Sequence, residues 1–391
     1  MNEDKATRYH RLRRRAVTLA AAWRVLFLAA LLPTGAAQAL RDLLASAVQP
    51  LPASLHLPLT VLAFVSVVTA ACGAGALPMT FFAGFTLERR YGLSRQPAAA
   101  WFRDHGKAAA IDLMFTGAAA VWLYAWIAAS PGIWWIPAWA GLAVAGIATA
   151  WAAPVLLLPL FYRFVPIPEG PLRDRLLALA RRAGVPALGV FEWRTSDRTS
   201  RANAALTGIG RTRRIILSDT LLRDYKPAEV EAVLAHEVAH HANHDIWQGL
   251  AIDALTSLGV LLAADAALRA FSGPAGLHGL ADPAGLPVVA LAMTAAAWAA
   301  SPLQNAVSRA HERKADRAAL DLTRDAEAFV SAMRRLGARN LAEASPSLLT
   351  RLFFHTHPPV DERIAFALAW EQGRGVDASQ PPAVRVRAGG A

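Results

Sequence analysis

Cysteine is almost absent from the sequence, with Cys72 as its one representative among 391 residues. A single thiol cannot form a disulfide within its own chain, and it cannot build a thiolate metal site. Any metal ion that this chain binds must therefore be held by nitrogen and oxygen ligands.

Charged residues are scarce as well, at 18% of the chain, and residues 113–162 contain no Asp, Glu, Lys or Arg. An average soluble domain has about 25% charged residues, whereas about 20 apolar residues suffice for one helical membrane crossing. The uncharged run therefore predicts two spans that are separated near Ser130, Pro131 and Gly132. Four further apolar runs predict spans at Ala16–Ala36, Pro58–Phe85, Ile246–Leu268 and Leu286–Ser308. The predicted fold class is mainly α, a polytopic transmembrane helical bundle of about six to seven spans.

The basic residues predict how these spans are oriented. Arginines cluster before the first span and basic residues follow the second, whereas the loop at residues 37–57 carries only Arg41. Because cytoplasmic loops carry an excess of Lys and Arg, both basic flanks are predicted to be cytoplasmic. Counting onward puts residues 163–245 and everything after Arg309 on the same side. The Ala- and Arg-rich composition favours a bacterial source, so we expect a multi-pass protein of the bacterial inner membrane.

Two other interpretations draw on the same residues. The net charge of +11 could indicate nucleic-acid binding, but the basic residues are spread over several loops. Anionic lipid headgroups explain them, so we expect the bilayer and no nucleic acid as a partner.

The start of the chain is also typical of a cleavable signal peptide, with a small-residue site at residues 37–39. Cleavage there would leave the predicted topology of the remaining spans unchanged.

The segment His236-Glu237-Val-Ala-His240 lies within residues 227–243, a run of good helix formers without Gly. Histidines four residues apart lie on one helical face, so both rings can bind one metal ion while Glu237 takes a proton from bound water. The spacing predicts one catalytic metal ion per chain, for which zinc is our choice, with Glu237 as the general base. A His, His, Glu ligand set also binds cobalt or manganese, so spacing alone leaves the metal open.

A catalytic zinc usually has three protein ligands and one open position. Glu312 is the candidate for the third ligand, because it follows the sixth span directly, just as the two histidines precede the fifth. The two intervening spans would form a helical hairpin that returns Glu312 to the histidines. Asp316 lies one helical turn further on and can orient a ligand histidine.

Residues 201–222 contain two short β runs around Gly208 and Gly210, which predicts a hairpin. Such a hairpin could offer a free edge beside the metal, to which a substrate pairs as an extended strand. An ordinary structural hairpin fits the pattern equally well.

In these motifs the sequence resembles the integral-membrane zinc metalloproteases of the type I CAAX prenyl protease family. The resemblance extends from about the second span to about residue 370, and its blocks appear in a consistent order. They are residues 86–93, 158–166, 200–204, 215–222, 236–240, 308–316 and 357–363.

The resemblance implies a zincin-like core enclosed by a chamber of membrane helices. It also implies that Asn203 and Ala204 lie on the substrate-pairing edge strand, and that His357 and Arg363 approach the bound substrate or the carboxylates around the zinc. Either of these last two could stabilise the oxyanion. Arg313 and Lys314 depart from the family, where many relatives have less basic residues, so the substrate preference stays open.

The sequence therefore predicts a membrane-embedded zinc metalloendopeptidase. Its substrate is either the C-terminal tail of a lipidated protein, as the resemblance implies, or a misfolded membrane protein, which we favour because prenylated tails are not expected in bacteria. The alternative is a non-catalytic membrane scaffold or metal carrier. The expected domains are a membrane domain at residues 1–162 with four spans, a protease domain at residues 163–370 with two, and a disordered tail at residues 371–391.

Overall fold

The structure is a computed structural model that describes residues 4–208 and 213–373. Two sequence predictions fall largely outside this range. They are Gly210 of the predicted hairpin turn and, beyond its first three residues, the tail at residues 371–391.

The described residues form fourteen α-helices and four β-strands. The helices are α1 (Lys5–Leu31), α2 (Ala36–Val48), α3 (Ala53–Phe81), α4 (Leu87–Arg90), α5 (Ala98–Ala129), α6 (Trp135–Leu156), α7 (Pro171–Arg182), α8 (Asp219–Asp224), α9 (Pro227–Ala242), α10 (Asp245–Phe271), α11 (Leu286–Thr323), α12 (Ala326–Arg339), α13 (Leu348–Phe354) and α14 (Val360–Glu371). The strands are β1 (Arg163–Pro166), β2 (Val190–Arg194), β3 (Ala204–Thr207) and β4 (Arg214–Ser218). A π-helical turn, Phe82–Thr86, joins α3 to α4.

Five helical segments are long and apolar enough to cross a membrane, namely those that contain α3, α5, α6, α10 and α11. The pair α1 and α2 meets the same criterion together and makes a sixth span if it counts as one. The break between the two spans of residues 113–162 is confirmed, because α5 ends at Ala129 and α6 begins at Trp135. No seventh candidate is found in the described part of the chain.

The boundary of the first predicted span, Ala16–Ala36, is wrong. Helix α1 ends at Leu31, and the chain bends by 74° before α2 begins. Gly35 at the bend has φ 72°, which glycine adopts without strain. Pro33 precedes it and cannot donate a backbone hydrogen bond to continue the helix. Residues 37–57, which were predicted to be a loop, consequently contain most of α2.

Six helices form a closed ring in which each one contacts the next, in the order α1, α3, α5, α6, α10 and α11, and α11 contacts α1 again. Hydrogen bonds tie the ring together where α5 meets α6. There the Trp134 indole donates to Asp265 Oδ1 at 2.7 Å, and Arg269 donates from Nε to the other oxygen at 2.8 Å. Arg41 of α2 forms a buried ion pair with Asp282 in the loop before α11.

The four strands form one sheet in the order β1-β2-β4-β3. Strands β3 and β4 pair antiparallel, which confirms the predicted hairpin, while β2 and β4 pair parallel. Helices α7 and α9 pack against this sheet around a buried core that includes Leu179, Ile215, Leu217 and Leu234. Strand β3 pairs with β4 alone among the described strands, so it forms one edge of the sheet.

Helix α11 continues 15 residues past the predicted end of the sixth span, from Ser308 to Thr323. It packs along α10 within the ring and against α9 beyond it. One continuous helix thus carries both the last span and the segment with Glu312 and Asp316.

Candidate metal centre and active site

Helix α9 carries the paired histidines and is buried on most of its surface. Pro227 occupies its first turn, where a missing N–H costs nothing, and the Glu229 carboxylate accepts a hydrogen bond from the backbone N–H of Lys226 at 2.8 Å. Apolar side chains such as Leu234 and Val238 fix the helix in the core. His236 and His240 therefore project one turn apart from a rigid element.

Three side chains converge on one point between α9 and α11. His236 Nε2 lies 3.2 Å from His240 Nε2 and 3.2 Å from Glu312 Oε2, and His240 Nε2 lies 3.4 Å from Glu312 Oε1. The potential ligand atoms of these residues all lie within 4.8 Å of one another. Two facing imidazole nitrogens and a buried carboxylate form a donor set that suits a divalent metal ion. The helical hairpin therefore returns Glu312 to the histidines as predicted.

Each histidine is also held by a carboxylate on its other ring nitrogen. His236 Nδ1 lies 2.9 Å from Asp316 Oδ1, and His240 Nδ1 lies 2.8 Å from Asp245 Oδ2. Such contacts fix the ring orientation of metal-binding histidines. The contact of Asp316 follows the sequence prediction, whereas Asp245 was not predicted. Its only signal in the sequence is a carboxylate five residues after His240.

Arg363 lies beside Asp316 and His236. Its guanidinium donates two hydrogen bonds to the Asp316 carboxylate, at 2.6 and 2.9 Å, and its Nη2 approaches His236 Nδ1 at 3.2 Å. His357, by contrast, is exposed, and its Nε2 lies 3.2 Å from Glu312 Oε1. The two candidates for oxyanion stabilisation thus have different surroundings, because the Arg363 guanidinium is hydrogen-bonded to Asp316 whereas the His357 side chain is exposed.

A cavity of 350 Å³ opens onto this cluster. The predicted residues that line it are Asn203, Ala204, His236, Glu237, His357 and Arg363. Burial raises the pKa of the Glu237 carboxyl above its ordinary value, although the neighbouring His236 and His240 oppose this shift. Six of the nine predicted site residues thus share one cavity, and the remaining three lie in the ligand cluster behind it.

Strand β3 borders the cavity with an edge that is only partly occupied. The Asn203 carbonyl accepts a hydrogen bond from the backbone N–H of Ser218 in the neighbouring strand at 2.9 Å. Because backbone groups alternate in direction along a strand, those of Ala202, Ala204 and Leu206 point away from the sheet. The side chain of Asn340 hydrogen-bonds both backbone groups of Ala202 at 3.3 Å, and His241 Nε2 contacts Leu206 O at 2.6 Å. Between them, Ala204 has outward backbone groups without a described hydrogen-bond partner.

Two family models match the chain and together cover nearly all of its described residues. Residues 166–371 match the model of peptidase family M48. Residues 2–163 match the model described as the CAAX prenyl protease N-terminal region with five membrane helices. The first match contains every residue of the metal cluster.

Relatives and a solved structure agree with these matches. The chain is 31% identical over 295 residues to the uncharacterized metalloprotease YhfN of Bacillus subtilis, covering 74% of this chain and 69% of that protein. It is 29% identical over 303 residues to a CAAX prenyl protease 1 homolog of Arabidopsis thaliana, covering 74% and 68%. The crystal structure of Ste24p from S. mikatae has the same fold, with a TM-score of 0.81 at 22% identity over 93% of this chain and 88% of that one.

The metal cluster on α9 and α11, the ring of spans and the family matches lead to one conclusion. The chain is an integral membrane metalloprotease that acts on peptide or protein substrates, and it belongs to peptidase family M48.

Proposed function

We propose that this protein is a zinc endopeptidase that cuts extended segments of membrane-associated proteins, with His236, His240 and Glu312 as the zinc ligands. The observation that carries the proposal is the close approach of the candidate ligand atoms. The two histidine Nε2 atoms lie 3.2 Å apart, and the Glu312 carboxylate lies 3.2 Å from His236 through Oε2 and 3.4 Å from His240 through Oε1. Atoms at about 2.0–2.1 Å from a tetrahedral zinc are about 3.3–3.4 Å apart. The histidine nitrogens and the carboxylate oxygens of Glu312 are thus spaced from one another as the ligands of such a site are.

Bound zinc would polarise the scissile carbonyl and lower the pKa of a water molecule towards neutrality. Glu237 is the general base in this scheme, since it lines the cavity beside both histidines and carries no described ion pair. It accepts the proton of the attacking water and passes it to the leaving amine. No covalent intermediate with the protein is needed.

His357 is our candidate for stabilising the oxyanion, because its side chain is exposed at the cavity and close to Glu312. Arg363 is better suited to a positioning role. Its two hydrogen bonds to Asp316 hold the carboxylate that in turn orients His236. Asp245 plays the equivalent part for His240.

The substrate is proposed to bind as a strand beside β3. Ala204 offers one outward pair of backbone groups, and the side chains of Asn340 and His241 occupy the positions on either side. The pairing is therefore short and anchors the peptide at one residue. Main-chain pairing of this kind selects for an extended backbone more than for particular side chains.

We infer that the active site faces the cytoplasm of a bacterium. The support is the charge distribution, with basic clusters in the first turns of α1 and after α3 on the side of the sheet and the metal cluster. Labelling tests this orientation in a Cys72→Ala background, because Cys72 is the only cysteine. We expect an impermeant maleimide to label Gly132→Cys but not Asp197→Cys in intact cells. The reverse pattern would contradict the orientation.

The edge of β3 proposed to bind peptide and the membrane setting support our choice of substrate class. Several relatives are named as CAAX prenyl proteases, whereas the bacterial relative is an uncharacterized metalloprotease. We propose unfolded segments of membrane proteins as the natural substrate, with lipidated tails as the competing class.

The deciding experiment measures metal content and peptide cleavage by detergent-purified protein. It compares wild type with Glu237→Gln, using one farnesylated fluorogenic peptide and one unlipidated peptide of the same sequence. We expect about one zinc per chain in both proteins, and cleavage by wild type alone.

Each outcome has a defined meaning. Equal cleavage of both peptides supports the unfolded-segment class, and cleavage of the farnesylated peptide alone supports lipidated tails. Absence of both zinc and cleavage from wild type would overturn the mechanism and favour a non-catalytic scaffold, and zinc without cleavage would favour a metal carrier. Full activity of the variant would exclude Glu237 as the general base.

A further inference from the structure

A second cavity, of 660 Å³, lies among α1, α3 and α5 and shares no lining residue with the active-site cavity. One face of α1 forms its floor. Arg13 and Arg24 stand at the two ends of this face, with Ala16, Ala20 and Ala21 between them. Eleven residues are close to three helical turns, so the arginines lie on the same side and about 16 Å apart along the axis.

The opposite wall is formed where α3 passes into the π-helical turn. Ala83 and Gly84 of this turn face the cavity, and a Cβ on Gly84 would lie 3.3 Å from the Trp101 indole nitrogen. The small residue therefore lets the aromatic ring of α5 lie against the turn. Single π-helical turns are often found at functional sites. Phe161 and Tyr162 extend the aromatic wall.

The charges of this cavity do not balance. Its two acidic residues are engaged, because Asp104 pairs with Arg198 at 2.6 Å and Glu88 pairs with Arg201 at 3.0 Å. Arg13 and Arg24 form no ion pair with any residue in the described ranges. Two cations thus face this cavity without an anion of the described residues to neutralise them. Arg24 lies within the first span, where a cation is costly unless something solvates or pairs it.

We propose that this cavity binds an anionic phospholipid whose headgroup carries two phosphates, one for each arginine. Basic pockets between membrane helices bind such headgroups. The small alanine side chains between the arginines leave room for the bridge that joins the two phosphates, and the aromatic wall suits the first part of the acyl chains. The volume is within the range of cavities that enclose small ligands.

A peptide is the less suitable occupant. The walls of the cavity are mainly helices, whose backbone groups are already hydrogen-bonded, so an extended peptide would leave its own amides unpaired against apolar side chains. The lipid needs no such partners. The proposal is independent of the peptidase mechanism, since none of its residues belongs to the metal cluster.

The test is native mass spectrometry of the delipidated full chain in detergent, titrated with cardiolipin, phosphatidylglycerol or phosphatidylcholine of matched chains. We expect cardiolipin to bind most tightly. Arg13→Gln and Arg24→Gln should each weaken its binding roughly 5-fold, and the double variant should do so roughly 30-fold, or about 2 kcal/mol. The matched control is the double variant Arg8→Gln, Arg15→Gln, which removes the same charge from α1 outside the cavity and should leave the affinity almost unchanged.

A further variant distinguishes loss of the lipid site from misfolding of the arginine variants. Ala20→Phe keeps both charges but fills the floor, and it should also abolish tight cardiolipin binding while peptide cleavage shows that the protein is folded. Inorganic phosphate and an acidic peptide serve as competitors. The proposal is overturned if the control variant loses as much affinity as the arginine variant, if phosphatidylcholine or phosphatidylglycerol binds as well as cardiolipin, or if either competitor displaces the lipid.

Discussion

Replacing Asp245 should weaken metal binding without unfolding the protein. The Asp245 carboxylate lies 2.8 Å from His240 Nδ1, on the ring nitrogen opposite to the one that faces His236 and Glu312. It fixes the tautomer that presents Nε2 to the metal and makes the ring more basic. Loss of such a partner costs about 10- to 100-fold in metal affinity, which is about 1.4 to 2.8 kcal/mol.

The size of the effect should depend on the substitution. Asp245→Asn retains an oxygen acceptor but loses the charge, so we expect a change near 10-fold. Asp245→Ala removes the acceptor and should approach 100-fold. The assay is competition for zinc against a chromophoric chelator, with the midpoint of unfolding of the metal-free protein measured in parallel.

The matched control is Asp253→Asn, in the same helix. Asp253 contacts Gln304 at 3.4 Å and none of the metal-binding residues, so its variant should bind zinc like wild type. If Asp245→Ala binds zinc within twofold of wild type, or if Asp253→Asn loses as much affinity, then the carboxylate does not act through His240 and the reasoning fails.

Three further predictions concern other parts of the protein. Burial tends to raise the pKa of Glu229, but hydrogen bonds from Ser331, the Lys226 backbone and Arg335 outweigh it and lower that pKa. Glu229→Gln should therefore reduce the unfolding free energy by about 2 kcal/mol at pH 7, and the difference from wild type should vanish as pH falls below 4. Glu343→Gln should lower kcat more than it raises KM. The buried Glu343 carboxylate pairs with Arg14 of α1 and lies close to His355, so its replacement should loosen the segment that leads to His357. Ala204→Pro removes the outward N–H of β3 and should raise KM about 3- to 10-fold, with kcat and unfolding midpoint near those of wild type.

Each of these three has an outcome that contradicts it. A pH-independent difference for Glu229→Gln would exclude a role for the carboxylate's ionisation. An unchanged kcat for Glu343→Gln would separate α1 from the catalytic loop. An unchanged KM for Ala204→Pro would exclude substrate pairing at that strand.

The helical parts of the fold follow from sequence patterns because their causes are local. The 3.6-residue period places His236 and His240 on one face, and the length of the apolar runs fixes how many times the chain can cross a bilayer. The position of Glu312 follows from these two facts together. The domain boundary at residues 162–163 stays a prediction.

What the sequence did not predict depends on single backbone conformations or on distant contacts. Asp245 reaches His240 because His244 has φ 60°, a left-handed conformation that turns the chain between α9 and α10. Histidine adopts it more readily than most residues, but no pattern requires it there. Similarly, Asn340 occupies the edge of β3 across 138 residues of sequence, a contact that only the packing of α12 against α9 brings about.

The closed ring has a consequence for the order in which the protein is made. Helix α11 is both the last wall of the ring, in contact with α1, and the carrier of Glu312. During synthesis the five earlier helices of the ring and both histidines are made before α11. The ring therefore stays open, and the ligand set stays incomplete, until α11 has been made. Enclosure of the chamber and completion of the metal site are thus coupled in time, and a nascent chain cannot cut proteins before its own walls have closed.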